Sequence, residues 1–300
     1  MTGIGMDWWT DFPHMGDEAL RNLRRTIDDG FRGFTREYGG TIEAFFEPLR
    51  IFLIQSERLL LNTPWPIVLL GIAAIAWIAS RSWKIAAGSV LTLLVIGFFD
   101  MWDDTMRTVS MIFVCTVVAI AIGIPMGILM SRSNRAQGIV NPVLDVMQTM
   151  PSFVYLIPVV MLLGIGRVPG VIAVVIYAIP PVIRLTNLGI RLVDKDVLEA
   201  ADAFGSSSWQ KLKNVQMPLA LPTIMAGINQ TIMMALAMVV IASMIGVQGL
   251  GQPVLRAINN QYFTMGMFNG LAIVGIAIIF DRISQAYGHR LQKHREIVHG

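Results

Sequence analysis

Few side chains in this sequence are placed to do covalent chemistry. The four histidines, His14, His289, His294 and His299, lie near the two ends of the chain, so they assemble neither a buried proton relay nor a ligand cluster. Cys115 is the only cysteine and sits inside an apolar run, where its role is packing and no disulfide partner exists. Asp145 and Arg184 are the clear ionisable candidates within long apolar stretches, and snorkelling accounts for Arg184. The remaining polar groups at depth are uncharged: Gln148, Thr149, Ser152, Asn229, Gln230, Thr231 and Ser243. Such groups either line a neutral aqueous passage or bond between helices, and Gln148, Asn229, Gln230 and Ser243 are the candidates for a passage. There is no His-Glu-x-x-His and no nucleophile elbow, and the stretch from Gly205 to Lys211 lacks the second glycine of a phosphate loop. These features predict a non-catalytic chain that holds no metal and no cofactor of its own.

What the residues do offer is a recognition element. The polar stretch "KDVLEAADAFGSSSWQKLKNVQMP" runs from Lys195 to Pro218 between two apolar runs. Asp196 followed by Glu199 has capping-box spacing and predicts a helix start. Val197, Leu198, Ala201 and Phe204 give that helix one apolar face, and Gly205 follows where a left-handed residue ends a helix at low cost. Ser207 and Gln210 repeat the cap and predict a second helix, which carries Lys211 and Lys213 and stops before Pro218. A capped helix, glycine turn and helix make a rigid protrusion. It is shaped either to enter a groove on another protein or to rest on the inner leaflet as an interfacial element.

The elements that hold this protrusion are membrane spans. The chain is 54% hydrophobic and 14% charged, with a mean hydropathy of +0.62, outside the range of soluble domains. Its net charge of +3 comes from clusters flanking apolar runs, which argues against a nucleic-acid partner. Apolar runs at about 64–80, 84–99, 105–130, 142–166, 169–190, 220–246 and 265–283 predict seven spans, the first two near the lower length limit. Twelve Lys/Arg collect on one side, among them Arg132, Arg135, Arg191, Lys195, Lys293 and Arg295, against Arg107, Arg167 and Arg256 on the other. That bias puts residues 195–218 and the C-terminus in the cytoplasm and the N-terminus outside. The opening residues lack an apolar h-region and do not read as a signal peptide. Ile42, Phe45, Phe46, Leu49, Phe52 and Leu53 recur at helical spacing, predicting an amphipathic helix on the outer membrane surface or on the protein's own flank. Gly123 and Gly127 have small-xxx-small spacing for close helix approach, within or between subunits. Pro151, Pro158, Pro169, Pro180 and Pro181 are expected to bend or bound their spans. The organisation is therefore an extracytoplasmic tail over 1–63, two accessory helices over 64–99, a transport domain over 100–285 and a basic cytoplasmic tail over 286–300.

The protrusion also resembles the cytoplasmic EAA loop of ABC-importer permeases. Glu199, Ala200, Ala201, Gly205 and Pro218 match that loop, with Val215 and Met217 where isoleucine and leucine are usual. Over about residues 100–285, stretches such as "NPVLDVMQTMPSFVYLIPVVMLLGIG" and "MPLALPTIMAGINQT" are similar to the permeases of glycine betaine/proline betaine osmoprotectant importers. The resemblance implies an all-α integral membrane protein with a five-helix type I permease core. It implies a permease homodimer in the cell inner membrane, seated on two cytoplasmic ATPases that hydrolyse ATP with Mg and fed by an extracytoplasmic binding protein. Residues 199–218 would then include the coupling helix docked in the ATPase groove. Choline or trimethylamine N-oxide are alternative solutes, since discrimination resides largely in the binding protein. A secondary carrier is the rival of a different class, and it leaves the capped loop without a purpose.

Overall fold

A computed structural model describes residues 14–296, with Pro64 at the N-cap of an apolar helix and Pro66 in its first turn. The stretch before His14 and residue His299 lie outside the described residues, as do the side chains of His289, Lys293, His294 and Arg295. The described residues separate into two compact units, one ending at Phe46 and the other beginning at Glu47. Every regular element among them is helical.

The first element, α1, covers Asp17–Asn62. Its residues 17–46 bury no side chain, and Phe45 is 76% exposed. From Glu47 onward the helix behaves differently: Leu53 is buried in the main core, Leu49 packs against it, and Phe52 meets Phe113 at 6.1 Å between ring centroids. For residues 49–57 the reading as a helix on the protein's own flank is therefore the one realised.

Helices α2 (Trp65–Ser80) and α3 (Trp83–Phe98) form an apolar hairpin that turns at Arg81, whose φ is 52°. Next come α4 (Trp102–Arg132) and α5 (Asn134–Thr149), then a 3₁₀ turn over Ser152–Tyr155 leading into α6 (Leu156–Leu163). Helices α7 (Arg167–Ala178) and α8 (Pro180–Arg191) run on as one span of 25 residues. Pro180 and Pro181 sit in the first turn of α8, where a missing N–H costs little. After them follow α9 (Lys195–Ala203), α10 (Ser208–Gln210), α11 (Met217–Ala237), α12 (Val239–Ser243), α13 (Gly251–Asn260) and α14 (Phe263–Glu296).

Two expectations about spans need correction. Among the described residues four helices, Trp102–Arg132, Arg167–Arg191, Ser208–Ala237 and Phe263–Gly288, are each long and apolar enough to cross a bilayer, two broken pairs raise the number to six, and the shorter apolar helix Trp83–Phe98 occupies the remaining predicted run. The run 142–166 is one of those pairs, bent by 111° between Thr149 and Ser152. Pro151 forces the residue before it out of the helical region, and Met150 accordingly has ψ 133°. The run 220–246 is displaced as well: its helix ends at Ala237, and the chain folds into α12 and a turn through Gly246 and Gly249, both at positive φ.

Packing inside a bilayer gains little from the hydrophobic effect, so close backbone approach has to replace it. Helix α8 shows how this is done. A Cβ added at Gly127 of α4 would lie 2.5 Å from Thr186 Cβ and 2.8 Å from the Ile183 carbonyl of α8. On the opposite side, a Cβ at Gly227 of α11 would lie 3.1 Å from Val182 Cα. The small-xxx-small pair Gly123 and Gly127 thus serves packing within the subunit, and α8 is clamped between α4 and α11. Because α8 leads directly into α9, the protrusion grows from the most enclosed span of the protein.

Candidate functional site

Asp194, not Asp196, caps the first helix of the protrusion: its carboxylate accepts a hydrogen bond from the Asp196 amide at 3.0 Å. Its backbone is non-helical at ψ 134°, so the helix begins at Lys195 and Asp196 falls inside the first turn. The exit follows the expected chemistry. Gly205 has φ +73°, its amide bonds the Asp202 carbonyl at 2.9 Å, and the Ser206 amide bonds the Ala201 carbonyl at 3.0 Å, the two bonds of a Schellman ending. Ser207 and Gln210 then form the reciprocal capping box. Lys211 grips both carboxylate oxygens of Asp202 across the turn, at 2.5 and 2.6 Å. This ion pair holds the two helices at a set angle.

The second helix does not stop before Pro218. A wide turn over Lys211–Gln216 carries it into α11, so that Ser208–Ala237 is one long helix. A proline lacks the N–H that the helical ladder needs, and locally widening the ladder lets the chain pass it. Within this turn Leu212 is 2% exposed and packs with Ile190, Ala220 and Ile224. Val215 and Met217 are half-buried beside it and Pro218 is exposed.

Helix α9 buries no residue. Glu199 and Ala200 are exposed and Ala201 is half-buried, while Phe204 is 90% and Trp209 64% exposed. Large open rings beside a capped turn are the side chains that provide much of the binding energy where proteins meet. Trp209 was passed over in the reading of the apolar face; its place inside the Ser207–Gln210 cap was the available signal.

The four residues considered for a passage are held on three elements. Gln148 is exposed on α5, one turn beyond Asp145. Asp145 pairs with Arg184 of α8, so Arg184 has a partner and does not simply snorkel. Asn229 on α11 donates to Asp281 of α14 at 3.0 Å and accepts from Ser284 at 2.5 Å, while Gln230 is exposed. Asp281, which sequence reasoning missed because it lies close to the end of its run, also accepts from Gln285 at 2.6 Å. Ser243 is buried in α12 and donates to the Val239 carbonyl at 2.9 Å.

A second polar cluster also escaped the sequence. Glu57, only 13% exposed in its side chain, pairs with Arg167 at 2.5 Å and Arg107 at 3.6 Å. Arg167 also donates to Gln248 at 2.5 Å. This cluster ties the end of α1 to the starts of α4 and α7 and to the turn after α12.

Residues 119–293 match the family described as "Binding-protein-dependent transport system inner membrane component". The chain is 43% identical over 95% of its length to the glycine betaine/proline betaine transport system permease protein ProW of Escherichia coli, covering 83% of that protein. It is 49% identical over 76% of its length to the glycine betaine/carnitine transport permease protein GbuB of Listeria monocytogenes, covering 81% of it. Identity to the trimethylamine N-oxide transport system permease protein TmoV of Ruegeria pomeroyi is 35% over 78% of the chain and 35% of that protein. Among solved structures, an inward-facing MetNI methionine ABC transporter matches with a TM-score of 0.56 at 18% identity, over 61% of this chain and 92% of the other. That last likeness concerns the fold alone.

Proposed function

Since the chain belongs to the binding-protein-dependent transport system inner membrane components, we propose that it is the permease subunit of an ATP-driven importer of glycine betaine/proline betaine-type solutes. The observation that carries this reading is the unburied α9 with Phe204 and Trp209 displayed beside the Gly205 turn. Glu199, Ala200, Ala201 and Gly205 are the part of the segment that meets a separate cytoplasmic ATPase. Val215, Met217 and Pro218 form the root through which its motion enters α11. The working unit is a homodimer supplied by an extracytoplasmic binding protein, with ATP hydrolysed by the ATPase using Mg and no cofactor held by this chain. Residues 1–63 lie outside the cell, 64–99 are accessory helices, 100–285 form the transport domain and 286–300 the cytoplasmic tail. The solute passes along a path that includes Gln148, Asn229, Gln230 and Ser243, where transient contacts suit release better than tight binding.

The test is uptake into proteoliposomes holding the permease with its ATPase, with binding protein supplied on the outer side. Labelled glycine betaine should accumulate only with ATP inside, and better than choline or trimethylamine N-oxide. Accumulation by the chain alone, driven by a proton or sodium gradient, would refute this reading in favour of a secondary carrier.

A further inference from the structure

Helix α9 is exposed, but its surroundings are braced. Arg191, in the last turn of α8, donates through Nη2 to the Met130 carbonyl and to Asn134 Oδ1, each at 2.8 Å. Met130 lies in the last turn of α4, where carbonyls have no partner within the helix, and Asn134 is the first residue of α5. The Nε of Arg191 is held at 3.0 Å by Asn187, one turn back on α8 and only 7% exposed, which sets the orientation of the guanidinium. Arg132, the last residue of α4, donates to the Ser208 carbonyl at 2.8 Å, at the start of α10. Leu212 closes the frame by packing with Ile190 of α8 and Ile224 of α11. The start of α10 is thus joined to the end of α4 through Arg132, and the end of α8, from which the protrusion grows, is joined to α4 and α5 through Arg191.

We propose that Arg191 and Arg132 are positioning residues for transport, carrying displacement of the α9–α10 segment into the ends of α4 and α5. The physical reason is directional stiffness. A planar guanidinium bonded to two acceptors on different helices resists both sliding and rotation, which a point cation does not. Packing at Gly123 and Gly127 already couples α8 to α4. The arginines add directional bonds at the helix ends, so that displacement of α9–α10 also reaches the start of α5, the first half of the bent pair around Pro151.

This inference rests on the importer reading, and the test separates the two. The readout is solute accumulated per ATP hydrolysed in proteoliposomes holding the complete complex, with ATPase retention and thermal stability measured alongside. Arg135→Ala, an exposed arginine on α5, serves as the control. Arg191→Ala should retain the ATPase and its stimulation by loaded binding protein, while solute per ATP falls about tenfold, the factor matching loss of a charge-assisted hydrogen bond. Arg191→Lys should recover part of that ratio and Arg132→Ala should lower it less, since each leaves some links intact. An unchanged ratio in Arg191→Ala overturns the proposal. So does a parallel fall of uptake, hydrolysis and stability, which marks a purely structural role, or loss of ATPase retention, which marks a docking role. If the wild-type complex shows no ATP-dependent uptake, the importer reading itself has failed.

Discussion

Gly205→Val tests the turn on which the docking geometry depends. Gly205 has φ +73°, and a Cβ built there meets nothing within 4 Å. The penalty for a side chain is therefore conformational, about 1–2 kcal/mol for an L-residue in the left-handed region. A β-branched residue falls at the upper end, because its restricted χ1 adds to the strain. Against this stands the turn's own margin. The bonds Gly205 N to Asp202 O and Ser206 N to Ala201 O, at 2.9 and 3.0 Å, contribute about 1 kcal/mol each, so roughly 2 kcal/mol in all. Alanine leaves the native turn in the majority. Valine brings the margin to zero or below, so at most about half of the subunits hold the native turn, and in the proposed homodimer, with both turns needed, at most about a quarter of the complexes do. Uptake should fall about fourfold or more with normal membrane levels, and Gly205→Asn should stay near wild type because asparagine tolerates this region. The assays are ATPase retention on the purified permease and initial uptake rate. Full uptake and full retention in Gly205→Val would show that the left-handed turn is not what presents α9.

Three further outcomes are expected. Gly127→Leu should lower thermal stability in detergent by about 1–3 kcal/mol, because even a Cβ there would lie 2.5 Å from Thr186; an unchanged melting temperature would contradict the α4–α8 packing. Phe204→Ala and Trp209→Ala should leave stability unchanged, since the rings are 90% and 64% exposed. Each should nevertheless weaken ATPase binding in a titration by about 2 kcal/mol if it is an anchor, and a loss of stability without a loss of binding would remove them from the docking surface. Glu57→Ala leaves Arg167 and Arg107 without their shared anion. Both arginines are about one-third exposed, so the cost should be about 1–2 kcal/mol rather than that of a fully buried pair. A thermal shift in Glu57→Gln as large as in Glu57→Ala would mean that the lost charge alone, with no packing term, carries the effect.

What the sequence determined on its own is local or compositional. Apolar runs of bilayer length identify the solvent, since that depends on composition alone. The Gly205 turn and the Ser207–Gln210 cap were legible because each is settled by residues within five positions of one another. Where local signals compete, the nearest residues were not enough. Asp194 and Asp196 both cap well by type, and only the path of the chain leaving α8 decides that Asp194 takes the role. Pro218 reads as a stop, yet burial of Leu212 against Ile190 and Ile224 holds the widened turn that lets the helix continue. Tertiary structure alone decided the charge pairings. Glu57 meets Arg167 across 110 positions and Arg191 meets Met130 across 61. No periodicity encodes such separations; the Arg191 contact exists because glycines on α4 and α11 let α8 pack closely enough to bring its end within hydrogen-bond reach of α4.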